Sequence, residues 1–232
     1  MRRWLVILCV ALLGAPMAMG ATSDDGPIEV DWYPLFTDSV GWNIYSGGFV
    51  IGWVNAPSGL DVDMGHSMEL GWLNVAGAKF NTGHGQRITM GVGIDWRNYK
   101  LHRGTRFVWD DDRITVGDYP AAAVPRSSRL KVFSLTMPVI FRQRLVDKVD
   151  LMAGAIVNFN VHGSLETVYD LDGEKITERT TCIHQVPVTV DLFAGVKWSC
   201  LGAYVRYSPC HVLREDHAPA FTSFSTGLFL GF

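Results

Sequence analysis

Apolar and polar residues alternate with period two through much of the chain, the pattern of strands with one apolar and one polar face. From Arg87 to Arg97 the even positions Ile88, Met90, Val92, Ile94 and Trp96 are apolar, while the odd ones are Arg87, Thr89, Gly91, Gly93, Asp95 and Arg97. Leu151, Ala153, Ala155, Val157, Phe159 and Val161 oppose Gly154, Asn158, Asn160, His162 and Ser164. Val186, Val188, Val190, Leu192, Ala194, Val196 and Trp198 oppose Gln185, Thr189, Asp191, Gly195 and Lys197. The last run sets Phe224, Thr226, Leu228, Leu230 and Phe232 against Ser223, Ser225, Gly227, Phe229 and Gly231. Noisier runs near 40–55, 67–77, 130–145 and 201–209 bring the total to about eight strands, enough to close a small barrel.

The N-terminus has a different pattern. Met1-Arg2-Arg3, an apolar run from Trp4 to Gly14, and Ala18-Met19-Gly20 before Ala21 form the three regions of a cleaved export signal. Pro16 and Ser23-Asp24-Asp25 end the apolar run short of the roughly 20 residues a spanning helix needs. Leu8 before Cys9 argues against a lipid-attachment site. The expected organisation is a signal peptide over 1–20, an N-terminal segment over 21–38 and a β-barrel over 39–232. Without residues 1–20 the chain keeps 18 basic against 23 acidic residues, a balance that suits no nucleic acid.

Alternation alone does not tell a soluble barrel from a membrane-spanning one. A soluble barrel turns its apolar face inward, whereas a spanning barrel turns it to lipid, with aromatic residues at the two interfaces. Here the apolar faces carry Trp53, Trp96, Phe141, Phe159, Trp198, Tyr207 and Phe224, largely near strand ends, so these are the expected aromatic girdle. The opposite faces are rich in Gly and Ser. Connections also alternate in length. Residues 56–66, 102–128, 172–173 and 209–220 are expected at one end, and the tighter 78–85, 146–148 and 199–200 at the other. An up-and-down spanning barrel has this asymmetry and a sandwich does not.

Turn chemistry predicts register. Asp172-Gly173 reads as a type I′ turn, which pairs Phe159 with Val186, Val157 with Val188 and Ala153 with Leu192. Ser199-Cys200 pairs Trp198 with Leu201 and Val196 with Ala203. The strands flanking Asp172-Gly173, about Val149–Asp170 and Ile176–Trp198, are twice the length a crossing needs, so hairpin 162–184 is expected to protrude and offer a strand edge to a protein partner. The alternative is that residues 102–128 cover it.

Ser134-Leu135-Thr136-Met137-Pro138-Val139, Ala153-Gly154-Ala155, Tyr204-Val205-Arg206-Tyr207-Ser208-Pro209 and the closing Ser225-Thr226-Gly227-Leu228-Phe229-Leu230-Gly231-Phe232 resemble the small outer-membrane β-barrel (porin-like) family of Gram-negative bacteria. The resemblance covers most of the mature chain through degenerate motifs. It implies an outer-membrane location, contact with outer-membrane lipid, and a C-terminal signal for the barrel-assembly machinery at Leu228, Leu230 and Phe232. It carries no catalytic residues.

Candidate chemistry is sparse. His162 and His184 are close in sequence across the hairpin, but the predicted register sends them to opposite faces, so no metal site is expected there. Asp110-Asp111-Asp112 lacks the rest of a calcium loop and reads as a solvated tip. Cys182, Cys200 and Cys210 are too separated to pair readily and are expected as free thiols. No nucleophile elbow, phosphate loop or cofactor motif is present, so neither an enzyme nor a cofactor is expected. Arg87, Asp95, Arg97, Arg142, Asp191, Lys197 and Arg206 fall on inward faces as a lumen charge network. Two functions follow: a structural or interaction barrel, for envelope integrity, surface contacts or as a component of an envelope or secretion machine, in which these charges fill the lumen; or a narrow pore for small solutes or ions, in which they select.

Overall fold

The computed structural model describes residues 41–231 except 84, 111, 147 and 182. The signal peptide, segment 21–38 and Phe232 lie outside the described residues. The described residues form eleven strands: β1 Gly41–Ser58, β2 Met68–Gly83, β3 Gln86–Lys100, β4 Thr105–Asp110, β5 Arg113–Asp118, β6 Val124–Val146, β7 Val149–Leu171, β8 Glu174–Thr180, β9 Val188–Trp198, β10 Leu201–Ser208 and β11 Thr222–Leu230. A single 3₁₀ turn, Met64–His66, is the one helical element among the described residues.

Eight strands close a ring in the order β1-β2-β3-β6-β7-β9-β10-β11, every neighbour antiparallel, with β6 joined to β7 and β11 returning to β1. The alternation explains why a ring forms: each strand has one face for the exterior and one for the interior, and closure leaves none of the eight an unpaired edge through the barrel wall. Phe49, Ile51, Trp53, Val92, Leu135, Leu192 and Leu228 are exposed, while Asp95, Arg97, Asp191 and Arg206 are buried. Large apolar side chains thus cover the outside of the ring while charged ones are enclosed within it, as a lipid-facing exterior requires.

Connections 84–85, 147–148 and 199–200 lie at one end, and 59–67, 101–123 and 209–221 at the other. β1 begins and β11 finishes at the tight-turn end, where Gly231 N donates to Cys200 O at 2.8 Å. β1 bends at Gly47 and Gly48, where its pairing with β2 shifts register. Gly48 has φ +83° and its backbone lies beside Leu73, so a Cβ there would sit 3.1 Å from the Leu73 Cβ. Only glycine takes this backbone without strain.

Three expectations need correction. The run Ile176–Trp198 is two strands, because the chain leaves β7 after Thr180: His184 adopts φ +50°, Gln185 bridges to Leu213 instead, and the chain returns at Pro187, whose carbonyl accepts from Asn160 N at 2.8 Å. The β7–β8 pairing keeps the predicted turn register, Leu171 with Glu174 through Leu165 with Thr180. The departure adds two residues, so Phe159 pairs with Val188, Val157 with Val190 and Ala153 with Ala194. Parity survives the slip, which is why the faces were read correctly from a wrong register. Third, residues 102–128 are not an open loop: β4 and β5 form a hairpin, and β6 extends up to Val124 along β7. The β9–β10 register matches its prediction, with Trp198 opposite Leu201 and Val196 opposite Ala203.

The inward faces carry far more than glycine and serine. Near the tight-turn end Ile140, Met152, Ile156, Phe193, Tyr204 and Phe229 pack as an apolar layer. Toward the long-connection end a second apolar layer gathers Tyr99, Leu130, Leu165, Leu213 and Phe221 with Phe107 and Ile114 of the β4–β5 hairpin.

Candidate functional site

Between these apolar layers lies an ionic one. Arg206 on β10 sends Nε to Asp191 Oδ2 at 2.5 Å, Nη1 to Glu69 Oε1 at 2.5 Å and Nη2 to Asn158 Oδ1 at 2.6 Å. Asp95 Oδ2 stands 3.1 Å from Arg206 Nη1 and 3.0 Å from Arg97 Nε. Arg97 Nη2 donates to Asp191 Oδ2, and Tyr204 Oη donates to Glu69 Oε2 at 3.2 Å. Arg97 is on β3 and Asp191 on β9, with β6 and β7 between them along one arc of the ring, so their contact crosses the lumen. Glu69 on β2 and Arg206 on β10 make a second crossing, with β1 and β11 between.

The physical logic is mutual compensation. A lone buried charge costs several kcal/mol of lost hydration, and a buried ion pair recovers that only with good geometry and further hydrogen bonds. Here two guanidiniums face three carboxylates, and Asn158 and Tyr204 supply neutral hydrogen bonds. Asp95 is held by charge rather than by aligned hydrogen bonds, for neither of its oxygens accepts one. Small residues make room: a Cβ on Gly52 would stand 2.5 Å from the Tyr204 hydroxyl.

The lumen charges expected from sequence fall into two places. Asp95, Arg97, Asp191 and Arg206 come together in the crossing layer. Arg87, Arg142 and Lys197 lie instead at the tight-turn mouth, where Arg87 pairs across strands with Arg142, and Lys197 with Asp150. Asp150 Oδ2 is 3.8 Å from Arg142 Nη1 there. Sequence reasoning missed Glu69, which is fully buried. Its signal is a lone acid between outward Met68 and Leu70, masked because β2 slips against β3 just beyond, between Trp72 and Ala76.

Of the aromatic girdle, Trp53, Trp96, Phe141, Phe159, Trp198 and Tyr207 are exposed on the outside, and Phe224 beside Tyr207 is half-buried. They form two bands. Trp53, Trp96, Phe159, Tyr207 and Phe224 lie toward the long connections, and Phe141 and Trp198 near the tight turns. Phe133 and the pair Trp42–Phe80, whose rings are 4.9 Å apart, complete the bands. From Phe133 to Phe141 the strand runs eight residues, about 26 Å at ~3.3 Å per residue, which suits a tilted strand across the apolar part of a membrane. Leu228 and Leu230 point outward on β11.

Beyond the barrel, β8 is the end strand of the sheet, bound only to β7 among the described strands. Arg106 of β4 donates to Glu178 at 2.9 Å, Tyr119 stacks edge-on against Tyr169, and Thr167 Oγ1 donates to Phe107 O at 3.4 Å. Residues 102–128 therefore cover one face of the protruding hairpin and leave the outer edge of β8 open. Cys200 and Cys210 are free thiols, and Cys182 lies outside the described residues. His162 is exposed and apart from His184, which stacks on His217.

No protein-family model and no curated protein matches the chain. Among solved structures it is similar to Neisserial surface protein A (NspA), at 16% identity and TM-score 0.40, over 83% of this chain and 99% of that one. It is also similar to Ail, the attachment invasion locus protein of Yersinia pestis, at 12% identity and TM-score 0.33, over 82% and 97%. Likenesses this distant carry no weight for function, and the fold assignment rests on the strand pairings. The chain is an eight-stranded, antiparallel up-and-down β-barrel with an apolar exterior and a packed, charged interior, the architecture of the small outer-membrane β-barrel proteins.

Proposed function

We propose that this protein is a structural and interaction barrel of the Gram-negative outer membrane, presenting its long connections and the β7–β8 hairpin to surface molecules or to a larger envelope machine, and is not an open porin. One observation carries the reading: Arg97 and Arg206 bind carboxylates across the lumen between two apolar layers. An aqueous path would have to part these pairs and displace the packed apolar layers on both sides of them. The reading assigns no catalysis and no cofactor.

Its partners are the outer-membrane lipid against the apolar belt, the barrel-assembly machinery through Leu228, Leu230 and Phe232, and a protein at hairpin 162–184. The open outer edge of β8 supports the last of these by strand addition. Glu174, Lys175, Glu178 and Arg179 along it disfavour indiscriminate pairing, so the partner strand should carry complementary charge.

Planar-bilayer recording of the refolded protein tests the reading. The expected record shows no stable single-channel steps. Steps that persist in the wild type and vanish in Arg206→Met and Asp191→Asn would overturn it in favour of a narrow, charge-selective pore.

A further inference from the structure

A second cluster of polar side chains lies at the long-connection end, away from the crossing layer. Asp112 is in the β4–β5 turn, His184 in the segment where the chain leaves β7, and His217 between β10 and β11. His184 Nε2 lies 2.9 Å from Asp112 Oδ1, and His217 Nδ1 lies 3.6 Å from Asp112 Oδ2. One donor atom from each residue falls within 4.8 Å of the other two. Elsewhere among the described residues imidazole–carboxylate contacts involve one imidazole each, as in His66–Asp63, His102–Asp61 and His211–Glu215.

The backbone holds the three residues in place. Arg214 N donates to His184 O at 3.0 Å, Ile114 N to His217 O at 2.6 Å and His217 N to Arg214 O at 3.1 Å. His184 and Asp112 both have left-handed backbone, at φ +50° and +65°. In Asp112 the hairpin turn accounts for this, but His184 is in no hairpin turn, and such backbone in a non-glycine residue costs of order 1 kcal/mol or more. Trp109 lies parallel to the His184 ring, 5.9 Å away, on one side, and His217 stacks at 4.1 Å on the other.

We propose that Asp112, His184 and His217 form a site for a divalent transition-metal ion of the zinc class, which clips together the three connections that carry them. Two imidazoles and one carboxylate are the donors this class of ion takes, at about 2.0–2.2 Å, with water in the fourth position. Tetrahedral donors at that range stand about 3.4 Å apart, so closure asks for movements of about an ångström. It also asks the two imidazoles to splay from their stack, since each must point its lone pair at one centre. His217 has room to turn, being partly exposed on a connection rather than in a strand. The bound ion would replace a hydrogen-bonded stack by coordinate bonds among connections 101–123, 181–187 and 209–221.

The test is zinc titration of the full chain, purified without a tag, in detergent, with its thiols alkylated. Calorimetry is expected to show one ion per chain. His184→Gln and His217→Gln should each weaken binding at least tenfold, while His162→Gln and His211→Gln leave it unchanged; heat-modifiable migration verifies that each variant is folded. X-ray absorption at the zinc edge of the wild type, expected to show two imidazoles in the ion's coordination shell, decides the matter even if the variants do not fold. Absence of stoichiometric binding, wild-type affinity in His184→Gln and His217→Gln, or a shell with fewer than two imidazoles would overturn the site and leave a stack that merely pins the connections.

Discussion

Arg206 binds Asp191, Glu69 and Asn158 at once, so its removal leaves Arg97 as the one guanidinium beside three buried carboxylates. Breaking a buried pair on one side typically costs 3–5 kcal/mol. Arg206→Met should therefore lower the unfolding free energy, read from urea titration of the heat-modifiable band, by an amount of that order, and adding Glu69→Gln should recover part of it. Gly202 offers a steric counterpart. A Cβ there would meet the Phe229 ring at 2.3 Å, so Gly202→Ala should cost about 1–3 kcal/mol, with Phe229→Leu compensating. Six of the seven proposed girdle positions are exposed, and all seven lumen charges face inward, because both follow from parity alone. What parity lacks is height along the barrel and reach across it. Hence parity groups Arg87, Arg142 and Lys197 with charges at another level, and it signals neither Glu69 nor the His184–His217 contact.

Elements show the same division between local and long-range signals. The Asp172-Gly173 turn set the β7–β8 register, and Ser199-Cys200 the β9–β10 register, since two-residue turns act within their own hairpin. The break at 181–187 was hidden because its cause, pairing with Leu213, lies in a distant connection. The β4–β5 hairpin is short, and an acidic turn obscured its alternation. Two predictions concern the hairpin that stands above the belt. Gly173 has φ +85° with no neighbouring atom, so Gly173→Val strains only the turn. It should speed protease nicking near 172 while the barrel's heat-modifiable migration stays unchanged. The second concerns Glu166, which accepts a hydrogen bond from Lys131 at 2.9 Å; that bond holds its carboxyl below the usual range. A lowered folded-state pKa contributes stability above the ordinary carboxylate range and loses it as pH falls through the folded value. Protection of the Leu165–Leu171 amides, taken relative to intrinsic exchange at each pH, should thus fall in acid, and Lys131→Ala should flatten that dependence.

At the scale of the whole molecule, two solvents are divided by one wall. Leu192 faces outward near the middle of β9, where an arginine in lipid costs about 2–4 kcal/mol. Leu192→Arg should reduce the folded fraction recovered in lipid vesicles, whereas Glu174→Arg on the protruding hairpin should not. The ring order was legible because connection lengths alternate, but the filling of the lumen was not, since no local pattern reports which side chains meet across a diameter. The join of β1 to β11, from Phe49–Leu230 to Asn55–Phe224, has a temporal consequence as well. It unites the first and last strands of the ring, so no arrival order of the chain completes the wall before β11 is present. Until then the incomplete sheet keeps two unpaired margins, each a template for another chain. The interval between synthesis of β1 and docking of β11 is therefore the period of greatest aggregation hazard, and holding the chain extended through that interval matters as much as the stability of the finished barrel.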